Sequence, residues 1–513
     1  MSSRRRILFF TSNGTGLGHL TRSMAIARRL DERFEPLIFT LSAAAPVVRE
    51  QGFPVEYCAS YRTPCAGTEW RWSRRLRGRA RAAIAEARPA IVVFDGAHPY
   101  LGFLDALRAE RPRAVWCRRA MWKPGANRAA LPRTAAFDAV LEPGELAAAA
   151  DRGPTVARRD EAHRVGPIVY LDRSELRPRS EAERELGLDA GATNVLIALG
   201  QGAEVRAASG RCVRHLAGRD GVQVAVLESA IAASLDAPGD VVHLRATYPM
   251  SRDYAAFDLV VAAPGYNAFH ELLGLGVPSL FVPIARETDD QAGRAAWAAA
   301  AGLAGAVAGP ESPDLERELD RLLDPAERAR IAARLGELPP ATGAGEAAGW
   351  IASLADRGED EPREPARRRR LGWHLPGGSV REAAEFVARV PRGTAALAKQ
   401  IVTAPRPPRT VILSLALAGA ELEREVAAAL AGTADPRERV LVITDSLDFA
   451  PLRRAGVGFE HVPAAGELQP ELAGGDYESF LRRRLALILA ERRRPARTMA
   501  IGAADEATLR SVL

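Results

Sequence analysis

The sequence has little cysteine, almost no lysine and no long uninterrupted apolar run. Its four cysteines, Cys58, Cys65, Cys117 and Cys212, form no C-x-x-C or Cys/His spacing, which excludes a disulfide scaffold and a zinc module. A reducing, cytoplasmic setting is expected. No stretch reaches the ~18 apolar residues that a spanning helix needs, and Ser2-Ser3-Arg4-Arg5-Arg6 leads only into a strand-sized segment. Neither a spanning helix nor a signal peptide is therefore expected. With lysine only at positions 123 and 399, nearly every cation is arginine. What is present is ordinary for soluble globular proteins: 47% hydrophobic and 26% charged residues over 513 positions, enough for about three domains at ~100–200 residues each.

Charge is uneven. Residues 1–150 hold 24 Lys+Arg against 13 Asp+Glu. The densest part, Arg71 to Arg81, interleaves arginines with Trp70, Trp72 and Leu76, the pattern of a contact with an anionic membrane surface or of a solvated helix face. No nucleic-acid partner is expected.

Apolar runs alternate with helical patterns. Arg6-Ile7-Leu8-Phe9-Phe10 precedes the glycine turn Asn13 to His19 and a helix carrying Leu20, Met24 and Ala27 on one face. Further runs at 36–40, 90–94 and 114–116 complete a first unit, 1–165, and runs at 194–199, 222–227, 241–244, 259–262 and 279–282 a second, 166–355. Strands apolar throughout and separated by helices imply parallel sheets covered on both faces. Two such Rossmann-like domains would face each other across a cleft at the carboxyl ends of their strands, where open α/β sheets bind ligands. A charged, proline-bearing linker and a helix follow (356–404), then a small α/β appendage (405–513). No short-period repeat is present.

Three places carry chemistry. In Asn13-Gly14-Thr15-Gly16-Leu17-Gly18-His19 the third glycine of a dinucleotide fingerprint is replaced by His19, which disfavours a nicotinamide cofactor, and no Gly-Lys-Ser/Thr of a P-loop occurs. His19, at a helix start in the cleft, is suited to be a general base or to cap the turn. Asp95, ending an apolar strand, either orients His19, binds an acceptor hydroxyl or caps the next helix. Arg118, Arg119, Trp122 and Lys123, after another strand, are candidates for clamping an anionic acceptor.

The third place has the spacing G-x(5)-E-x(4)-G-x-P-x(4)-P-x(7)-Q, met by Gly265, Glu271, Gly276, Pro278, Pro283 and Gln291. It resembles the nucleotide-sugar signature of GT-B glycosyltransferases, in particular the family of the bacterial N-acetylglucosaminyltransferase that completes the lipid-linked peptidoglycan precursor. The opening glycine loop and Leu199-Gly200-Gln201-Gly202-Ala203 resemble that family's two glycine loops. The resemblance covers about residues 5–350. It implies an inverting, metal-independent glycosyltransferase with no cofactor, using a nucleotide-sugar donor (a UDP-sugar) and a lipid-linked or anionic acceptor, peripheral to the inner membrane face. It further implies that Glu271 binds the donor ribose; that Gly265, Tyr266 and Asn267 face the diphosphate, with Gly16, Gly18, Gly200, Gln201 and Gly202 also on the donor; that Thr247 to Met250 border the base; that Asp290 and Gln291 hold sugar hydroxyls; and that His19 is the base. A nucleotide-sugar epimerase and a non-catalytic sugar-nucleotide sensor are the competing readings.

Overall fold

The computed structural model describes residues 4–12, 17–200, 202–228, 241–245, 247–360, 408–431, 439–465, 476–492 and 494–513. Three parallel sheets organise them. The first contains β1 (Arg5–Thr11), β2 (Phe34–Thr40), β3 (Val55–Tyr57), β4 (Ile91–Asp95), β5 (Ala114–Cys117), β6 (Ala139–Glu142) and β7 (Ala162–Arg164) in the order β3-β2-β1-β4-β5-β6-β7. The second orders β8 (Thr193–Ala198), β9 (Val222–Glu228), β10 (Val242–Arg245), β11 (Leu259–Ala262), β12 (Ser279–Phe281) and β13 (Gly305–Ala306) as β10-β9-β8-β11-β12-β13. β14 (Thr410–Leu415), β15 (Val440–Thr444), β16 (Gly458–His461) and β17 (Arg497–Gly502) form the third, β16-β15-β14-β17.

The apolar runs become central strands because both faces of each sheet are covered. In β1, Ile7 and Phe9 enter one core while Leu8 and Phe10 enter another on the opposite face. β1 is followed by helix α1 (Gly18–Ala27), and β11 by a helix that begins at Tyr266 and ends at Gly276, whose φ of 83° supplies the left-handed cap that turns the chain toward β12. In register, Thr11 lies beside Asp95 and Asp95 beside Cys117, while Ala262 lies beside both Ala198 and Phe281. Both sets of candidate loops thus leave their sheets at the carboxyl edge.

The helix Gly343–Asp360 crosses back to the first unit. Ala347 and Ile351 join the core of Ile7 and Met24, and Arg5 bonds Asp356 at 2.8 Å. The sequence-based boundary at 355 ran this helix with the second unit; by packing it belongs to the first. The remainder of the expected linker lies outside the described residues. At the two crossings Gly144 N–H donates to the Gly166 carbonyl (3.0 Å) and Gly343 N–H to the Pro167 carbonyl (3.2 Å).

The arginine-rich segment is the helix Glu69–Ala87, and two of its cations, Arg75 and Arg79, are turned inward. Arg79 is buried against Glu56 (2.9 Å) and Glu460, Arg75 donates to the Ala66 carbonyl, and Arg74 pairs with Glu491 (2.9 Å). Part of the charge density that suggested an anionic membrane surface, Arg74 and Arg79, is therefore spent on packing the third sheet against the first. Among the described residues no helix is long and apolar enough to cross a membrane.

A Cβ on Gly343 would overlap the Gly166 carbonyl, a backbone atom that cannot swing aside. Gly343→Ala should lower unfolding stability by about 1–3 kcal/mol, the usual cost of overpacking, read as a reduced denaturant midpoint at unchanged slope.

Candidate active site

At the carboxyl edge of the first sheet, Asp95 Oδ1 lies 2.6 Å from His19 Nδ1. Arg22, one turn after His19, donates Nε to Asp95 Oδ2 (3.0 Å) and Nη2 to Oδ1 (2.5 Å). Two lone pairs would repel at 2.6 Å, so the Asp95 contact, shorter than the 2.9 Å approach of Arg22 Nη2 to the same nitrogen, favours the Nδ1–H tautomer, in which Nε2 carries the free lone pair. Burial opposes the charge on Asp95, but Arg22 and then His19 outweigh it and hold the carboxyl below its usual range. Burial pushes the His19 pKa down; Asp95 opposes this, and Arg22 and Arg119 reinforce it. His19 is neutral at neutral pH. Its side chain keeps about a fifth of its exposure (21%), whereas that of Asp95 keeps 1%.

Across the cleft, Asn267 in the first turn of the helix Tyr266–Leu275 donates Nδ2 to the Gly18 carbonyl at 3.3 Å. The N-termini of this helix and of α1 therefore meet, and both bring free backbone N–H groups and a positive dipole end to one place. Gly265 sits directly before the second helix, and Gln291 Nε2 lies against it; Gln291 Oε1 accepts from the Ile284 amide (2.9 Å) and Nε2 donates to Asp289 (3.3 Å). Gly200 and Gly202, with φ of 92° and 126°, open the helix after β8, beside the end of β11. Gly16 and Gln201 lie outside the described residues.

Glu271 is on the same helix as Asn267. The Tyr170 backbone donates to it, Tyr248 and Tyr254 lie nearby, and among the described residues it forms no ion pair. Burial pushes its carboxyl up to about 7. In a chain whose carboxylates are mostly matched to arginines, it stands unmatched. Thr247 is exposed just before Tyr248, whose hydroxyl donates to Thr21 (3.1 Å); the Met250 side chain packs into the second core.

Several sequence-based assignments are corrected. Arg118 is wholly buried, bound to Glu161 and to the Arg158 carbonyl (3.0 Å), so it cannot clamp an acceptor. Trp122 is buried in the first unit, its backbone paired with Asp289. Arg119 is taken by Asp289. Asp290 caps the helix Gln291–Ala300 through the Gly293 amide (3.0 Å). Tyr266 points away from the cleft: its hydroxyl donates to the Gly144 carbonyl (2.9 Å) and accepts from the Ile168 amide (3.0 Å), at the crossing between the units. Sequence reasoning missed Arg22 and the buried Arg294, which bonds Asp289 (2.6 Å) and Glu145 (2.9 Å). An arginine in a helix reads as surface; a signal was available for Arg22 alone, from its position one turn beyond His19.

No family model matches the chain. It is 30% identical over 315 residues to the UDP-N-acetylglucosamine--N-acetylmuramyl-(pentapeptide) pyrophosphoryl-undecaprenol N-acetylglucosamine transferase of Clavibacter sepedonicus, covering 58% of this chain and 78% of the relative. The chain belongs to this transferase family. The enzyme of the same name from Burkholderia lata is 27% identical over 355 residues, 65% of this chain and 94% of the relative. A solved structure from Listeria monocytogenes described as a UDP-N-acetylglucosamine 2-epimerase aligns with a TM-score of 0.51 at 13% identity, over 71% of this chain and 98% of that one. That likeness is one of fold. The chain is thus a glycosyltransferase of the GT-B fold, and about a third of it lies outside the part shared with the transferases.

Arg22 both fixes Asp95 and repels a proton on His19. In Arg22→Met the repulsion goes and Asp95 is left with His19 alone, so the His19 pKa should rise; NMR titration of the ring checks the direction, and a fall would refute this account of the site.

Proposed function

We propose that this transferase moves a sugar from a UDP-sugar to a hydroxyl of a lipid-linked acceptor, with inversion, at the cytoplasmic membrane face where such lipids are presented. The observation that carries the reading is His19, tied through Nδ1 to Asp95, at the point where two helix N-termini meet. In the proposed step His19 Nε2 takes the proton of the acceptor hydroxyl as its oxygen bonds to the anomeric carbon. The bond from that carbon to the phosphate oxygen breaks, and its electrons leave with the nucleoside diphosphate. Backbone amides opening the helix at Gly265 to Asn267 bind the charge that develops there. Asp95 stabilises the imidazolium formed, and the ion pairs across the cleft keep water from the donor. Glu271 accepts the ribose hydroxyls, Gln291 faces the sugar, and the backbone near Thr247 borders the base. The names of the curated relatives support both donor and acceptor classes.

His19→Ala should lower kcat by about 10²–10⁴-fold while leaving donor affinity unchanged. Without acceptor, donor should release free sugar slowly; an epimerised nucleotide sugar as product would overturn the reading.

Glu271 gives a pH test. With its carboxyl near 7 in the free protein and lowered by ribose donors in the complex, affinity should rise as pH rises through about 7, and binding at pH 7 should release about half a proton. Titration calorimetry in buffers of different ionisation heat reads this directly. Glu271→Gln should abolish the proton release and weaken UDP binding about 10- to 100-fold.

A further inference from the structure

The third sheet repeats the first half of the acceptor-side sheet strand for strand. β16-β15-β14-β17 has the same order, direction and connectivity as β3-β2-β1-β4. The turn after the second strand is made alike: the Ser42 amide donates to Thr40 Oγ1 and the Ser446 amide to Thr444 Oγ1, both at 3.0 Å, and the Cys58 and Val462 amides donate to the Thr40 and Thr444 carbonyls, both at 2.9 Å. Gly52 and Gly456 close the next helix with φ of 84° and 68°, and Glu56 and Glu460 occupy the same place in the third strands. Each of these later residues stands 404 positions after its counterpart. The helices between third and fourth strands also correspond, with buried Arg79 matching buried Arg484.

The two copies pack reciprocally. Arg484 of the second bonds Glu56 of the first (3.1 Å), and Arg79 of the first approaches Glu460 of the second (3.6 Å). Residue i meets j' and i' meets j, the signature of an isologous two-fold interface. The catalytic positions are not repeated. Aligning Leu20 and Met24 with Leu422 and Val426 puts Glu421 where His19 stands, and the strand register that pairs Thr11 with Asp95 pairs Ser414 with Ile501.

We infer that residues 409–502 are a duplicated, non-catalytic copy of residues 5–96, and that the face built by β3 and the arginine helix Glu69–Ala87 is a self-complementary docking surface whose partner is a second such unit, supplied here within the chain. The copy takes the position that a second subunit would take in a homodimer, and it covers the β3 edge of the first sheet.

The test uses the full-length chain. Reversing both charges of the second copy, Glu460→Arg with Arg484→Glu, sets Arg79 and Glu56 against like charges while leaving the first face intact. That face should then pair with the first face of another chain, and sedimentation should read twice the wild-type mass. Adding Glu56→Arg and Arg79→Glu, together with Arg492→Glu and Glu86→Arg for the second partners of Glu460 (2.9 Å) and Arg484 (2.7 Å), restores opposite charges inside the chain and should return the wild-type mass. A double variant that keeps the wild-type mass overturns the inference. If the double variant unfolds, the sixfold variant decides: recovery of fold and wild-type mass upholds reciprocal pairing, and failure to recover refutes it.

Discussion

A half-buried carboxylate shared by two arginines ties the two sides of the cleft in register. Asp289, from the loop after β12, is shared by Arg119 of the first unit and Arg294 of the second. Burial alone would raise its pKa, yet the two guanidinium groups hold it well below the usual carboxylate range. Around it the backbones form a short clasp, with the Lys123 amide on the Thr288 carbonyl (2.8 Å) and the Asp290 amide on the Met121 carbonyl (3.0 Å). A second tie joins Arg294 to Glu145, whose carboxyl is held at about 2. Losing one member of such a set leaves a charge uncompensated in the interior, which costs several kcal/mol, so the arrangement specifies one relative placement of the units rather than adding general stability.

The same arginines reach the chemistry. Arg119 contributes to the repulsion that keeps His19 neutral, and Arg22 and Arg294 both lie over the Tyr266 ring, at 5.0 and 6.0 Å from its centroid. Proton affinity at His19 is therefore coupled to the placement of Arg119. A separation of the units that carried Arg119 away from His19 would remove part of the field that keeps the imidazole ready to accept a proton.

The alternation of apolar runs and amphipathic helices was legible because a strand buried on both faces cannot hide its composition. The strand-turn-helix-strand path through Gly265, Glu271, Gly276 and Pro278 was legible because its glycines and proline mark the turns between β11, the helix Tyr266–Leu275 and β12. The fates of Arg118 and Trp122 were not legible, and for Arg22 only its position one turn beyond His19 gave a signal. What decides whether an arginine is a ligand clamp or an internal tie is the position of a carboxylate far away in the chain: 43 residues for Glu161 and 73 for Asp95. The duplication escaped notice because small insertions shift each element's offset by a residue or so and few side chains match; only the sheet register aligns the copies.

Tyr266 joins two properties in one residue. It opens the helix whose amides face the proposed diphosphate site, and its hydroxyl bridges the Gly144 carbonyl and the Ile168 amide at the crossing between the units. A shift of that helix along its axis cannot occur without pulling on the crossing, and a twist of the crossing cannot occur without tilting the helix. The proposed diphosphate site and the crossing between the units are therefore joined by one rigid phenol ring, and the two hydrogen bonds of its hydroxyl carry a displacement of either to the other.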